Sequence, residues 1–254
     1  MTVLRGKVAL ITGSSRGIGA AIARRFAREG AAVALHGRDR EALAGVRRDI
    51  ARAGADTSVI ELVADATTFV QIEAMRRQVE NALGSVDILV ANAGGSFTAP
   101  GPFEEITEDG WRASIDGNLT ATFLTIKSFL PGMKARQSGN IITLSSAAAR
   151  RPHPQSPVPY AAAKAGVQML TQHLAAQVGP YGIRVNCLAP ETVLTERNRE
   201  RIPEDMQRRL IDMHPVKRLG TPEDVASAAV FLASEESAWI TGHILDVSGG
   251  AVMI

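Results

Sequence analysis

The sequence predicts a single α/β domain of the doubly wound kind, with about seven parallel strands covered by helices on both faces. Short apolar runs alternate along the 254 residues with stretches of helical periodicity. Strands that are apolar throughout are typical of parallel sheets buried on both sides. No internal repeat, low-complexity tract or linker divides the chain, so we predict one domain over residues 1–254.

The first half of the chain contains alternating strands and helices. Strands are predicted at residues 7–12, 32–36, 58–63 and 86–91, where apolar residues run up to a glycine or polar turn. Helices are predicted at residues 18–29, 40–53 and 69–83, each closed by a glycine. Residues 94–102 are rich in glycine and proline and are predicted to form a loop.

The second half continues the alternation with a long helical stretch at residues 107–135 and a strand at 140–144. Residues 150–159 contain four prolines, which predicts irregular structure. A helix at 160–178, a strand at 184–188, a polar segment with short helical patches at 191–215, a helix at 222–233 and a strand at 244–247 complete the chain. In such sheets ligands bind beyond the carboxyl ends of the strands.

The composition excludes several classes of protein. A net charge of +2 with acidic residues throughout argues against nucleic-acid binding. The single cysteine, Cys187, lies in an apolar run, forms no intramolecular disulfide and is interpreted as a buried small side chain. The N-terminus lacks a signal-peptide pattern, and no apolar stretch reaches the ~20 residues that span a bilayer. We expect a cytoplasmic protein without a membrane partner, and no metal site is predicted.

A glycine-rich turn follows the first predicted strand. In Thr12–Gly19, Gly13 suits the tight turn, and Gly17 and Gly19 allow a phosphate to approach the backbone. The free N–H groups of the following helix would hold the pyrophosphate of a dinucleotide. The spacing Gly-x-x-x-Gly-x-Gly differs from the Gly-x-Gly-x-x-Gly fingerprint, so the strand before it and the helix after it strengthen the assignment.

The end of the second strand predicts which nicotinamide cofactor is preferred. NAD sites place an acidic residue there to bind the ribose hydroxyls. Here the strand ends without a carboxylate, and Arg38 could bind a 2′-phosphate together with Arg16. Asp39 is either a helix N-cap or a ribose ligand. We predict NADP(H) in preference to NAD(H), with NAD kept as the alternative.

The candidate proton-transfer residues are Tyr160 and Lys164, which lie on one face of a helix. The reference pKa of a tyrosine is near 10, and a nearby ammonium would lower it towards neutrality. At the end of the fifth strand, Ser146 could donate a hydrogen bond to a substrate oxygen, with Ser145 the neighbouring candidate. Asn118, within the long helical stretch, could hold water or a backbone carbonyl and connect Lys164 to solvent.

Together these residues resemble the short-chain dehydrogenase/reductase family over essentially the whole chain. The resemblance covers the Thr12–Gly19 turn, Asp65 after the third strand, Asn92-Ala93-Gly94 after the fourth strand, and the segment after the sixth strand. It implies that Asn118, Ser146, Tyr160 and Lys164 are the catalytic residues. It implies a cofactor site formed by Gly13, Ser15, Arg16, Gly17, Ile18, Gly19, Arg38, Asp65, Ala66, Asn92, Ala93, Gly94, Tyr160, Lys164, Pro190, Val193 and Thr195.

The resemblance also implies a fold, a reaction and an assembly. The fold would be a Rossmann-type domain with strand order 3-2-1-4-5-6-7. A hydride would pass between the nicotinamide and a substrate carbon, while Tyr160 exchanges the proton and Lys164 with Asn118 relays its replacement. A homotetramer is expected, with the helices that contain Asn118 and Tyr160 at one interface.

Three positions depart from the family pattern. Ala91 replaces an asparagine before Asn92, which would loosen that turn, and Ser248 replaces an aspartate near the C-terminus with little expected consequence. Glu191 replaces the glycine that usually follows Pro190. This glutamate could accept a hydrogen bond from a substrate hydroxyl, repel a carboxylate, or point to water.

The substrate is the least determined part of the prediction. Residues 95–97, 147–153 and a lid at 191–215 would wall its site. The lid carries five arginines, interpreted as a solvated helix face rather than an anion site: Arg197, Arg199, Arg201, Arg208 and Arg209.

Three alternatives for the activity stay open. A 3-oxoacyl-carrier-protein reductase would meet its acidic carrier at Lys134 and Arg136, although Tyr181 stands where such reductases often have a basic residue. An NAD-dependent alcohol or sugar dehydrogenase is the second alternative. A nucleotide-sensing scaffold on the same fold is the third, although the chain keeps all four catalytic residues.

Overall fold

A computed structural model describes residues 2–153 and 155–253. A parallel sheet of seven strands has the order β3-β2-β1-β4-β5-β6-β7. The strands are β1 (Val8–Ile11), β2 (Ala32–Gly37), β3 (Val59–Val63), β4 (Ile88–Ala91), β5 (Gly139–Leu144), β6 (Ile183–Pro190) and β7 (Ile244–Val247). The predicted fold class, strand order and single Rossmann-type domain are confirmed.

Helices cover both faces of this sheet. They are α1 (Gly17–Arg28), α2 (Arg40–Arg52), α3 (Phe69–Leu83), α4 (Glu108–Ile115), α5 (Ala121–Arg136), α6 (Val158–Val178), α7 (Glu196–Arg201), α8 (Glu204–Met213) and α9 (Pro222–Ala233). A π-helical turn, Asp116–Thr120, joins α4 to α5, and short 3-10 turns occupy Phe103–Glu105, Ala147–Ala149, Gly179–Tyr181 and Glu235–Ser237.

The alternation of side chains along each strand divides the core in two. On β1, Ala9 and Ile11 pack with α1, α2 and α9, whereas Val8 and Leu10 pack with α3, α5 and α6. Successive side chains point to opposite faces of a strand, so each face needs its own layer of helices. This is why the strands are apolar throughout.

One predicted boundary and one predicted helix differ from the structure. Residues 158 and 159 were expected to be irregular, but α6 begins at Val158 and includes Pro159 in its first turn. Proline is tolerated there because the first N–H groups of a helix have no intrahelical acceptor. The stretch at 107–135 is one continuous path, but the π-helical turn at its centre was not predicted.

None of the helices in the described part of the chain combines the length and hydropathy of a transmembrane span.

Candidate active site

A large cavity of about 1510 Å³ lies beyond the carboxyl ends of the strands. Its wall begins at the turn between β1 and α1, passes the ends of β2, β3, β4 and β5, and ends at α7 and α8. All the predicted catalytic and cofactor-binding residues line it except Val193 and Asn118. The sequence therefore brings these distant residues to one edge of the sheet.

The glycine turn fits closely against the neighbouring strand. Gly13 has a φ of +66°, and a Cβ at Gly19 would lie 2.3 Å from the carbonyl oxygen of Gly13. No side chain larger than hydrogen fits at Gly19, so α1 can approach β1 only with glycine there. Gly17, with a φ of +55°, opens α1, and the first residues of this helix line the cavity.

Side chains from β1 and β4 fasten this turn at the switch point of the sheet. The Oγ1 atom of Thr12 accepts hydrogen bonds from the N–H groups of Asn92 and Ala93, both at 3.0 Å. In return, Nδ2 of Asn92 donates to the carbonyls of Thr12 at 2.9 Å and Gly13 at 3.1 Å. The residues that would face the cofactor are thus held in place before it binds.

His36, at the end of β2, is a positioning residue that the sequence analysis did not identify. The N–H of Gly13 donates to Nδ1 of His36 at 3.3 Å, and Nε2 lies 3.1 Å from the carbonyl oxygen of Ala64. A carbonyl only accepts, so Nε2 carries the proton and Nδ1 is the acceptor. Burial lowers the pKa of His36 to about 4, which keeps the ring neutral. The sequence feature that could have indicated this role is a histidine at the end of an apolar strand.

The tips of β2 and β3 carry the charges nearest to the predicted ribose site. Asp39 caps α2 by accepting from the N–H of Ala42 at 3.0 Å, and its other oxygen pairs with Arg16. The hydrogen bonds from Thr67, aided by the charge of Arg38, hold the pKa of Asp65 below its usual value. Of the two roles considered for Asp39, the structure therefore has the N-cap, and Arg38 lies exposed on the cavity wall.

Ser146 and Tyr160 both line the cavity. The Oγ atom of Ser146 accepts from the N–H of Ala148 at 3.2 Å, and the Ser146 hydroxyl also lowers the pKa of Tyr160. Its neighbour Ser145 is buried and donates to the carbonyl of Lys164 at 2.8 Å. The two serines thus have different environments, and Ser146 is the one beside the tyrosine.

Lys164 is almost fully buried beneath Tyr160. Its Nζ donates to the carbonyl of Leu144 at 2.7 Å and lies 5.8 Å from the centre of the Tyr160 ring. Burial lowers the pKa of Lys164 to about 8. Lys164 consequently loses its proton at a lower pH than an exposed lysine does.

Asn118 lies behind the cavity wall, in the π-helical turn. Its Nδ2 donates to the carbonyls of Ser114 at 2.8 Å and Gly95 at 3.0 Å, and its Oδ1 accepts from the N–H of Gly95 at 3.0 Å. A Cβ at Gly94 would lie 2.4 Å from that Oδ1. Of the two roles expected for Asn118, binding water or binding a backbone carbonyl, the structure shows the second. The side chain fixes the loop after β4 against the helix.

The segment after β6 closes the cavity. Glu191 anchors it through its N–H, which donates to the carbonyl of Val247 at 3.1 Å, and Thr195 caps α7. Val193 is buried and packs in the core on the α1 side, so its side chain does not line the cavity. Pro190, Glu191 and Thr195 do line it.

Comparison with known proteins identifies the family. A family model described as enoyl-(acyl carrier protein) reductase matches residues 13–252. Glucose 1-dehydrogenase 2 of Bacillus subtilis is 36% identical over 251 residues, which cover 98% of this chain and 96% of the relative. The chain belongs to the short-chain dehydrogenase/reductase family. It is an oxidoreductase acting on alcohol or carbonyl groups with a nicotinamide cofactor.

Solved structures of this short-chain dehydrogenase/reductase fold agree over the whole chain. A 3-oxoacyl-[acyl-carrier protein] reductase with bound NAD from Brucella melitensis superposes with a TM-score of 0.91 at 33% identity, covering 100% of this chain and 94% of that one. A gluconate 5-dehydrogenase from Burkholderia cenocepacia, in complex with NADP and tartrate, has a TM-score of 0.90 at 35% identity, covering 98% and 96%.

The departures from the short-chain dehydrogenase/reductase pattern have different consequences. Ala91 is buried at the end of β4, and the turn after it keeps the hydrogen bonds between Thr12 and Asn92. The loosening expected there is not observed. Ser248 is buried, and its hydroxyl donates to the carbonyl of Val252 at 3.2 Å, which ties down the C-terminal segment. The charge of Glu191 raises the pKa of Tyr160.

The expected lowering of the Tyr160 pKa is wrong for the protein alone. Burial raises the pKa of Tyr160, the hydrogen bond with Ser146 partly offsets this, and the negative charge of Glu191 raises the pKa further. A carboxylate disfavours a second negative charge nearby, so the neutral phenol is the resting form. This effect of Glu191 is absent where the family has glycine.

The basic residues that were expected to meet an acidic carrier lie elsewhere. Lys134 and Arg136 belong to the last turn of α5, which leads into the amino end of β5 and so lies at the opposite edge of the sheet from the cavity. The ammonium of Lys134 stacks 4.6 Å from the ring centre of Tyr181, and Arg136 donates to the carbonyl of Val86 at 2.9 Å. That these two residues would meet a carrier stays a prediction, and their position away from the cavity does not support it.

Replacing Glu191 with glutamine should lower the pKa of Tyr160, because a negative charge beside the phenol is removed. An alcohol can give its proton only to the ionised form of Tyr160, so the rising limb of log kcat/KM against pH should move to lower pH. Glu204, an exposed residue of α8, provides the control, and Glu204→Gln should leave the limb in place. A limb unmoved by Glu191→Gln contradicts this assignment.

Proposed function

We propose that the protein interconverts a small carbonyl compound and a secondary alcohol with NADP(H), and that Tyr160 transfers the proton. One observation carries this proposal. Ser146, Tyr160 and Lys164 meet in the same cavity whose far end is the glycine turn. A dinucleotide seated on that turn and extending along the strand ends would bring its reactive ring to the tyrosine.

The residues of the cavity fit such a cofactor. Side chains at Gly13 and Gly19 would collide with neighbouring backbone, so the turn is built for close approach of a ligand or a strand. The bound dihydronicotinamide would supply a hydride to the substrate carbon. Tyr160 donates its proton to the substrate oxygen, and the Ser146 hydroxyl donates a hydrogen bond that stabilises the developing charge.

Lys164 and Asn118 have supporting roles in this mechanism. Nζ of Lys164 is anchored to the carbonyl of Leu144 and keeps further N–H groups for the ribose of the nicotinamide and for the proton path to Tyr160. Asn118 positions the Gly95 backbone, and therefore acts through the loop after β4. Residues 191–215 act as a lid, since Arg197 of α7 reaches across the cavity to the carbonyl of Ser96 at 3.3 Å.

The Tyr160 role is tested by removing the hydroxyl alone. Tyr160→Phe should lower kcat by about 10²- to 10⁴-fold, the usual contribution of a general acid, while NADPH binding measured by fluorescence titration is kept. Tyr181 is the other tyrosine and is partly exposed, so Tyr181→Phe is the matched control and should retain activity. Full turnover by Tyr160→Phe would overturn the mechanism.

The preference for NADP(H) rests on Arg38 and Arg16. Relatives with NAD and with NADP bound are both known, so the family leaves this point open. Arg38 is exposed at the cavity, and the ion pair of Arg16 with Asp39 is exposed and easily exchanged for a phosphate. Asp39 is already engaged as the cap of α2, which supports a phosphate ligand over a ribose hydroxyl.

Arg38→Gln should therefore weaken NADPH selectively. A charge-assisted hydrogen bond contributes about 1.5–3 kcal/mol, so KM for NADPH should rise about 10- to 100-fold while KM for NADH stays constant. Arg40, two residues further on and outside the cavity wall, is the control, and Arg40→Gln should change neither value. An equal effect of Arg38→Gln on both cofactors would refute a 2′-phosphate contact.

A homotetramer is the proposed assembly. Phe123 on α5 and Met169 on α6 are 46% and 55% exposed, and Trp239 beside the edge strand β7 is 99% exposed. Large apolar side chains left in water on two separate faces favour two kinds of subunit contact.

Light scattering should give a mass four times that of the chain. Phe123→Asp places a charge on the α5–α6 face and should reduce the mass to that of a dimer, with the helical content measured by circular dichroism unchanged. Val70→Asp changes an exposed side chain on α3, a helix that carries none of these three residues, and serves as the control. A wild-type chain that is monomeric at micromolar concentration would contradict the assembly.

A further inference from the structure

Phe97 places a partly exposed aromatic ring on the wall of the cavity. The residue lines the cavity and is 46% exposed. One edge of the ring rests on Gly117 of the π-helical turn, where a Cβ would lie 2.4 Å from the ring atoms Cε2 and Cζ. Only glycine leaves room for the ring in that position, so the turn determines where the ring of Phe97 stands in the cavity.

The polar groups next to Phe97 are already engaged within the protein. The N–H and the carbonyl of Gly95 both bind the side chain of Asn118, each at 3.0 Å. The Ser96 hydroxyl donates to the carbonyl of Thr98 at 2.9 Å, and the Oγ1 atom of Thr98 is buried. The loop therefore presents an apolar ring to a ligand, rather than a hydrogen-bonding side chain.

The lid brings further apolar side chains to the same cavity. Its helix α7 contacts the loop, because Arg197 donates to the carbonyl of Ser96 at 3.3 Å. Further along the lid, three apolar side chains line the cavity, and none of them is exposed: Ile202, Met206 and Leu210. Met206 and Leu210 are four residues apart and share one face of α8, whose exposed positions are mostly charged. The loop and the lid thus both contribute apolar surface to the cavity.

This apolar surface favours one kind of ligand. Covering the exposed ring of Phe97 with hydrocarbon removes apolar area from water, which is favourable in proportion to that area. A hydrocarbon ring covers an aromatic face well because both are broad and flat. A polar group in the same place loses its water and gains no hydrogen bond from Phe97 in return.

We propose that the substrate is a ketone, or the corresponding secondary alcohol, whose hydrocarbon ring lies against Phe97 and the lid residues Ile202 and Met206. This assignment rests on the proposed function and names the substrate class of the same site. In reduction the carbonyl carbon accepts a hydride from the reduced nicotinamide, and the oxygen accepts a proton from Tyr160. The C=O bond becomes C–OH, the nicotinamide is oxidised, and the hydrocarbon ring is unchanged.

The first test uses two ketones of the same shape. In tetrahydropyran-4-one an ether oxygen replaces one CH₂ group of cyclohexanone, and both ketones are assayed with saturating NADPH. Wild-type kcat/KM should be about tenfold higher for cyclohexanone, because the ether oxygen loses its water on an apolar surface. Phe97→Ala should remove most of this preference, and Phe97→Leu, which keeps an apolar side chain, should retain part of it.

Phe103 provides the matched control for this test. It is 72% exposed and lies outside the cavity wall, so Phe103→Ala should keep the full preference for cyclohexanone. Equal kcat/KM for the two ketones in the wild type, or a preference that survives in Phe97→Ala, overturns the assignment.

The second test separates this inference from the proposed activity. Cyclohexanecarboxamide and tetrahydropyran-4-carboxamide carry the same two rings on an amide that is not reduced, and their binding to the enzyme with NADPH is measured by the shift in Tm. Cyclohexanecarboxamide should give the larger shift in the wild type and in Phe103→Ala, and Phe97→Ala should remove the difference. Equal shifts in the wild type overturn the apolar contact. Turnover of both ketones with equal kcat/KM would refute this inference and leave the proposed function in place, whereas a ring-selective shift without turnover of any ketone would support the apolar contact and refute the proposed reaction.

Discussion

The cofactor turn is held from both sides, and the rest of the site depends on that constraint. Asn92 and Thr12 fasten Gly13 to β4, and the His36 ring fastens it to β2 and to the end of β3. These bonds sit where the strand order reverses between β1 and β4. An open crevice necessarily forms there, because the helices after the two strands leave in opposite directions. Polar side chains at the strand ends fix the backbone around that crevice.

The fold could be predicted from the sequence because each local pattern is compatible with only one kind of structure. Uninterrupted apolar strands such as Val8–Ile11 require helices on both faces, and glycines such as Gly30 and Gly84, both with positive φ, end the helices before them. The errors arose where a rule has a positional exception. Proline was taken to exclude a helix at Pro159, although it is compatible with a first turn. Nothing in residues 116–120 signals a π-helical turn.

The residues of the candidate site could be predicted from the sequence, but their burial and their hydrogen-bond partners could not. Ser146, Tyr160 and Lys164 line one cavity as the spacing suggested, yet the burial of Arg150 depends on its ion pair with Asp246, a residue distant in sequence. The sequence alone does not distinguish Arg150 from Arg151. The same holds for His36, whose role depends on the Ala64 carbonyl of another strand. Burial and partnership are properties of the folded chain, and they determine what each group does.

Burial also determines how Tyr160 and Lys164 act as a pair. It raises the pKa of the tyrosine and lowers that of the lysine to about 8, so both shifts favour the uncharged forms. A phenolate and an ammonium attract each other, so the charge on either group favours the charged form of the other. The two titrations are therefore linked. Glu191 biases this linked pair further towards a protonated tyrosine. A protonated Tyr160 is ready to donate to a carbonyl oxygen, whereas accepting a proton from an alcohol first requires its ionisation. In the protein alone Tyr160 is therefore held as the neutral phenol, the form that the proposed reduction uses, whereas the proposed oxidation uses its ionised form.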